Sequence, residues 1–109
     1  MKQRRNTLMK DKLHTPEADM LFQAISTLQT TEECYRFFED ICTINEMQSF
    51  VQRFQVAKML RENKVYTEIT KETGASTATI SRVKRTLDYG ADGYDLVLNR
   101  LKKKDKNEN

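Results

Sequence analysis

The sequence has few of the residues that form tight turns, metal sites and disulfides. Among 109 residues there are 3 glycines, 1 proline, 2 cysteines and 1 histidine, and tryptophan is absent. So few turn-forming residues exclude a meander of short strands and favour an all-α chain. One histidine and two cysteines without a CxxC pair leave too few ligands for a zinc site. We expect Cys34 and Cys42 to be reduced and buried.

Long apolar runs and catalytic motifs are also missing. No window approaches the roughly 18 consecutive apolar residues of a membrane span, and no hydrophobic core of a signal peptide follows the first residues. We therefore expect a cytoplasmic protein with no membrane partner. The isolated glycines exclude a Gly-rich phosphate loop, and no nucleophile–base pair, carboxylate pair or metal cluster is recognisable. The sequence thus predicts neither an enzyme nor a bound cofactor.

Charge is distributed unevenly within a net charge of +3. Five bases against one acid give residues 1–12 a charge of +4, and five against two give residues 100–109 a charge of +3. Residues 64–85 also carry five bases against two acids, whereas the long stretch before them is acidic. The length fits one domain, and we expect a flexible basic N-terminus over 1–14, a helical domain over 15–101 and a lysine-rich flexible tail over 102–109.

Three helix starts are signalled in the first half of the chain. Thr15 precedes a proline, and Thr30 and Thr43 are each followed three residues later by glutamate, which is the capping-box pattern. Apolar residues then recur at intervals of three and four. The apolar face of the first predicted helix should end near Gln29, and that of the third near Asn63. The predicted apolar face of the third helix consists of Met47, Phe50, Val51, Phe54, Ala57 and Leu60.

A shorter pattern follows Asn63. Residues 64–73 allow two turns of helix before Gly74, and Ser76 is a suitable N-cap for a further helix. Ile69 on the first helix and Ile80 and Val83 on the second have the spacing with which such a pair packs together, and Leu87 extends that buried side. This pattern predicts a helix-turn-helix over about residues 65–88. The alternative is an ordinary helical hairpin.

The second helix of this pair has the composition of a recognition helix. Small polar residues at its start allow close approach to base edges in the major groove, and the basic residues Arg82, Lys84 and Arg85 can contact phosphates. Tyr66 is either a DNA-facing hydroxyl or an apolar cover for the short helix. The apolar faces exceed what a chain of this size buries alone, which favours a homodimer over a compact monomer. An amphipathic segment over 92–101 should pack on the first helices, those of the other subunit.

The motif GASTATISRVKR over residues 74–85, followed by the block over 87–90, resembles the YerC/YecD-type subgroup of the Trp repressor superfamily. The resemblance implies an intertwined all-α homodimer that binds a palindromic operator in double-stranded DNA as a transcriptional regulator, by default a repressor. The positions it implies as DNA-facing are Thr67, Thr70, Ser76, Thr77, Ala78, Thr79 and Ser81. A dimeric helical adaptor that has lost specific DNA binding is the alternative function.

The resemblance also bears on a small-molecule effector. In the superfamily, tryptophan lies between the central helix and the recognition helix, held by an arginine from each beside a glycine that leaves room for the indole. Arg82 matches the recognition-helix arginine, but Gln52 stands in place of the central-helix arginine and Val83 in place of the glycine. Tryptophan is therefore not expected as a ligand, while another small effector stays open.

Overall fold

A computed structural model describes residues 12–108, and within them the chain forms six α-helices and no strand. No helix in this range is long and apolar enough to cross a membrane. The all-α prediction is confirmed. The described residues divide between Ser49 and Phe50 into two compact units, an N-terminal unit over 12–49 and a C-terminal unit over 50–108. The helices are α1 (Pro16–Ile25), α2 (Thr31–Ile41), α3 (Ile44–Arg61), α4 (Tyr66–Thr73), α5 (Thr77–Tyr89) and α6 (Gly93–Glu108).

The predicted helix starts in the N-terminal unit are confirmed at atomic detail. The Thr15 hydroxyl accepts a hydrogen bond from the Ala18 amide at 3.0 Å, and the Thr30 hydroxyl caps α2 in the same way. Before α3 the capping box is complete, since Glu46 N donates to Thr43 Oγ1 at 3.1 Å and Thr43 N donates to Glu46 Oε1 at 2.8 Å. These bonds satisfy amides that a helix start leaves free.

The end of α1 differs from the prediction. The helix stops at Ile25 rather than near Gln29. The hydroxyls of Ser26 and Thr27 donate to carbonyls of α1 at 2.8 and 2.6 Å. The backbone amides of Thr27 and Leu28 donate to carbonyls three residues earlier instead of four. Serine and threonine compete in this way with the helical pattern, so the apolar spacing that continues to Leu28 does not extend the helix.

The N-terminal unit has no fully buried side chain over residues 12–49, although Leu21, Phe37 and Phe38 are half-buried. Neither α1 nor α2 has a buried residue. Cys34 and Cys42 are both free thiols, as expected, but their predicted burial is wrong: Cys34 is exposed and Cys42 is half-buried. The physical reason is that α2 has no covering element within its own unit.

A compact core lies in the C-terminal unit. The predicted core residues of the helix pair are confirmed, with Ile69 and Ile80 fully buried and Val83 and Leu87 nearly so. On α3, however, the buried face contains Val56 and Met59 instead of Phe50 and Val51, which are about half exposed. Apolar residues surround much of α3, so periodicity alone does not select one face. The complete core consists of Val56, Ala57, Met59, Ile69, Ala75, Ile80, Val83 and Leu87.

The last helix continues past the predicted domain end. α6 runs to Glu108, through the lysine-rich segment that was expected to be a flexible tail from residue 102. Within it Leu98 is buried and Tyr94 packs against the core of the C-terminal unit, whereas Val97 and Leu101 stay exposed. Residues 1–11 of the predicted flexible N-terminus lie outside the described residues.

Gly74 joins the two short helices in a left-handed conformation with φ of 73°. We predict that Gly74→Ala lowers the free energy of unfolding by about 1–2 kcal/mol, since a side chain disfavours this conformation. The cost is conformational, because an added Cβ would lie 4.0 Å from Gln52 Nε2, an ordinary contact. Urea unfolding at fixed protein concentration measures it.

Gly93→Ala is the matched control, because a Cβ there meets no atom within 4 Å and the position begins a helix. It should leave stability unchanged or raise it slightly. Equal losses in the two variants would contradict the role assigned to Gly74.

Candidate nucleic-acid interface

The helices α4 and α5 form the helix-turn-helix that the sequence predicts, joined by a hydrogen-bonded turn. The Thr73 hydroxyl donates to the Ile69 carbonyl at 2.7 Å and accepts from the Ala75 amide at 3.1 Å. Ser76 then caps α5, its hydroxyl accepting from the Thr79 amide at 3.1 Å. Because these bonds lie within the turn, the start of α5 has a fixed direction relative to α4.

The polar residues predicted to face DNA are accessible on this pair. Ser76, Thr77, Ala78 and Ser81 are exposed on α5, and Thr79 is half-buried. Thr67 and Thr70 are exposed on α4. The structure therefore brings all seven onto the surface of one helix-turn-helix.

The start of α5 carries no negative charge. No acidic residue lies in its first turn, whereas every other helix in the range 12–108 has at least one acid there. Acids normally favour helix starts because they complement the positive end of the helix dipole. Their absence from α5 leaves its free amides suited to a phosphate group.

Basic side chains follow on the same helix. Arg82, Lys84 and Arg85 are all exposed. Lys84 forms an ion pair with Asp88 at 3.3 Å, while no hydrogen bond or ion pair joins either arginine to another residue within 12–108. This ion pair is predictable from the sequence, because side chains four residues apart are neighbours on a helix. The two arginines are accordingly the bases free to contact an anion.

Tyr66 lies between the core and a surface groove beside these basic residues. Its ring packs against the core of the C-terminal unit, and the residue also lines a surface groove together with Ser81, Lys84 and Arg85. Tyr66 thus covers the core, as one of the two alternatives proposed, and at the same time borders the basic surface.

Of the three positions that the resemblance relates to a corepressor, Gln52 and Val83 make contacts within the chain. Gln52 Nε2 donates a hydrogen bond to the Thr73 carbonyl at 3.1 Å. Val83 is only 2% exposed and belongs to the core. Arg82 is exposed and is not part of that core.

One contact of this unit was missed at the sequence level. Arg61 Nε and one of its terminal nitrogens donate to the two carboxylate oxygens of Asp95 at 2.8 and 2.9 Å, and the guanidinium also donates to the Leu87 carbonyl at 3.3 Å. The hydrogen bond that Arg61 donates to the Asp95 carboxylate raises the pKa of Arg61 above its ordinary value. Because 34 residues separate this pair, no local spacing indicates it.

Comparisons with known proteins match most of the chain. A family model described as Trp repressor protein matches residues 16–102. YerC, an uncharacterized protein of Bacillus subtilis (strain 168), is 61% identical over 92 residues, which are 84% of this chain and 88% of YerC.

Two solved structures are similar to this chain in fold and sequence. A TrpR-like protein from Eubacterium eligens ATCC 27750 has a TM-score of 0.81 and 60% identity, covering 84% of this chain and 94% of its own. A Trp repressor candidate from Staphylococcus aureus has a TM-score of 0.82 and 54% identity. The match covers 85% of this chain and 93% of the Staphylococcus aureus chain. The region matched by the family model includes the helix-turn-helix.

Proposed function

The chain belongs to the Trp repressor family, and from this premise we propose that it is a sequence-specific DNA-binding transcriptional regulator. It acts in the cytoplasm as a repressor, and it binds a palindromic operator in double-stranded DNA as a homodimer. The observation that carries the proposal is the exposed, acid-free start of α5 followed by two unpaired arginines on the same helix.

The proposed contacts divide by chemistry. Thr77, Ala78 and Thr79 have small side chains that allow the start of α5 to approach base edges, where methyl and hydroxyl groups distinguish base pairs. Ser76 and Ser81 suit phosphates or bases, and Thr67 and Thr70, which are exposed on α4, are proposed as further contacts. Arg82, Lys84 and Arg85 supply the phosphate contacts that dominate affinity.

Uncovered apolar surface supports the homodimer. Thirteen large hydrophobic residues are exposed among the described residues of the single chain, although a monomer rarely leaves so much apolar surface in contact with water. Helices α1 and α2 have apolar residues at helical spacing, and none of these residues is fully buried. A second copy of the chain, intertwined through these helices, is the partner that we propose for this surface.

The first experiment is selection of genomic DNA fragments by the purified protein at physiological salt, followed by sequencing. We predict an enriched palindrome whose half-sites are about 10 base pairs apart, since a dimer places two recognition helices one DNA turn apart. A single unpaired half-site would contradict the dimer geometry. Uniform recovery would instead favour the adaptor function.

We predict that replacing Arg82 and Arg85 together with alanine strongly weakens operator binding and leaves the fold intact, because both are exposed. The slope of log affinity against log salt should fall by about 0.9 for each lost phosphate contact. Fluorescence anisotropy over a salt series measures both quantities.

The control removes the same charge elsewhere. Lys103 and Lys104 are exposed on α6, and replacing both with alanine changes net charge equally. This variant should keep most of the operator affinity. Equal losses in the two double variants would mean that net charge, rather than the recognition helix, determines binding.

We predict that Phe22→Glu weakens the dimer by tenfold or more, because burial of a large apolar side chain contributes about 1.5–3 kcal/mol. Phe22 is 55% exposed in the single chain and lies on the apolar face of α1. Gln23→Glu serves as the control, because it introduces glutamate at the next position of α1 and removes no apolar side chain. Sedimentation equilibrium distinguishes them, and an intact dimer in Phe22→Glu would contradict the proposed interface.

A further inference from the structure

Two side chains of α3 bond to the ends of the helix-turn-helix. Gln52 donates to the carbonyl of Thr73, the last residue of α4, and Arg61 donates to the carbonyl of Leu87 in the last turn of α5. The carbonyls of a last helical turn have no amide partner within the helix. Each α3 side chain therefore satisfies an acceptor that its target helix leaves free.

The contact of Gln52 lies directly beside the turn. An added Cβ on Gly74 would have Gln52 Nε2 as its one neighbour within 4 Å. The amide thus approaches the segment that sets the direction from which α5 begins. A change in this contact alters the start of the recognition helix, and not only the stability of α4.

The contact of Arg61 is itself held in place. Asp95 of α6 binds the guanidinium through both carboxylate oxygens, a geometry that fixes orientation as well as charge. Gln52 and Arg61 stand nine positions apart on α3, about 14 Å along the helix axis. A single contact would permit the helix pair to rotate on α3. Two contacts at that separation restrict this rotation.

Apolar packing fills the space between these two contacts. Val56 on α3 is fully buried in the same cluster as Ile69 of α4 and Val83 of α5. Apolar packing and the two hydrogen bonds together hold the helix pair against α3.

We propose that Gln52 and Arg61 are positioning residues that fix the orientation of the helix-turn-helix on α3, so that operator binding requires no small-molecule effector. The proposal rests on the proposed function, since orientation matters only if α5 recognises DNA. It predicts a loss of discrimination when the contact of Gln52 is removed. Base contacts need exact placement of the recognition helix, whereas phosphate attraction does not.

Gln52→Met tests this proposal, because methionine has nearly the same size and cannot donate a hydrogen bond. The probes are the enriched genomic fragment and a scrambled fragment of equal length. Affinity for the enriched fragment should fall about tenfold, and affinity for the scrambled fragment should stay within about twofold. Gln55→Met, at an exposed position on the same helix, should change neither.

Amide hydrogen exchange supplies a readout that needs no DNA. In Gln52→Met, exchange over residues 66–81 should be faster than in the wild-type chain, while exchange in α6 stays the same. Unchanged exchange over 66–81, or an equal loss of affinity for both fragments, would overturn the positioning role. If the genomic selection enriches no sequence, the proposed function fails, and the exchange comparison still decides whether Gln52 orients the pair.

Effector independence has its own test. The wild-type protein is dialysed exhaustively, and native mass spectrometry verifies that no small molecule is bound. Its affinity for the enriched fragment should stay within about twofold of the value before dialysis. A loss of affinity on dialysis, restored by the low-molecular-weight fraction of a cell extract, would overturn this part of the proposal.

Discussion

The packing of α4 and α5 against α3 is the constraint on which the C-terminal unit depends. Ile69 and Ile80 are fully buried with Val56, and burial of each such side chain contributes about 1.5–3 kcal/mol. Because this core takes the apolar side of α5, the opposite side must carry its polar and basic residues. One packing arrangement thus both stabilises the unit and presents the surface that we assign to DNA.

Side-chain hydrogen bonds add direction to this packing. Apolar contacts are not directional, and a core of aliphatic residues alone permits small rotations of one helix on another. Gln52 and Arg61 bond to specific carbonyls of the helix pair and thereby select one rotation. The same two residues connect the stability of the unit with our proposal that operator binding needs no effector, because their bonds join α3 directly to the helix pair.

Local signals in the sequence predicted local structure well. The capping threonines, the left-handed Gly74 and the Ser76 cap lie where their spacing indicates, because each effect acts within four residues. The exposure of the predicted DNA-facing residues follows from the same periodicity. Predictions that depend on distant partners were less accurate. The buried face of α3 was predicted only in part, since Ala57 is buried as predicted whereas Phe50 and Val51 are exposed, and the burial of Cys34 was wrong. Both outcomes depend on which other helix covers the position.

The sequence by itself determined the helix starts, the helix-turn-helix and the basic helix that we assign to DNA recognition, because turn residues, caps and apolar periods are properties of neighbouring residues. Only the tertiary structure decided that Val56 and Met59 form the buried face of α3 and that Gln52 contacts the end of α4. It also paired Arg61 with Asp95. These contacts join residues 21 to 34 positions apart, and their distances are set by how the helices pack in space rather than by any interval along the chain.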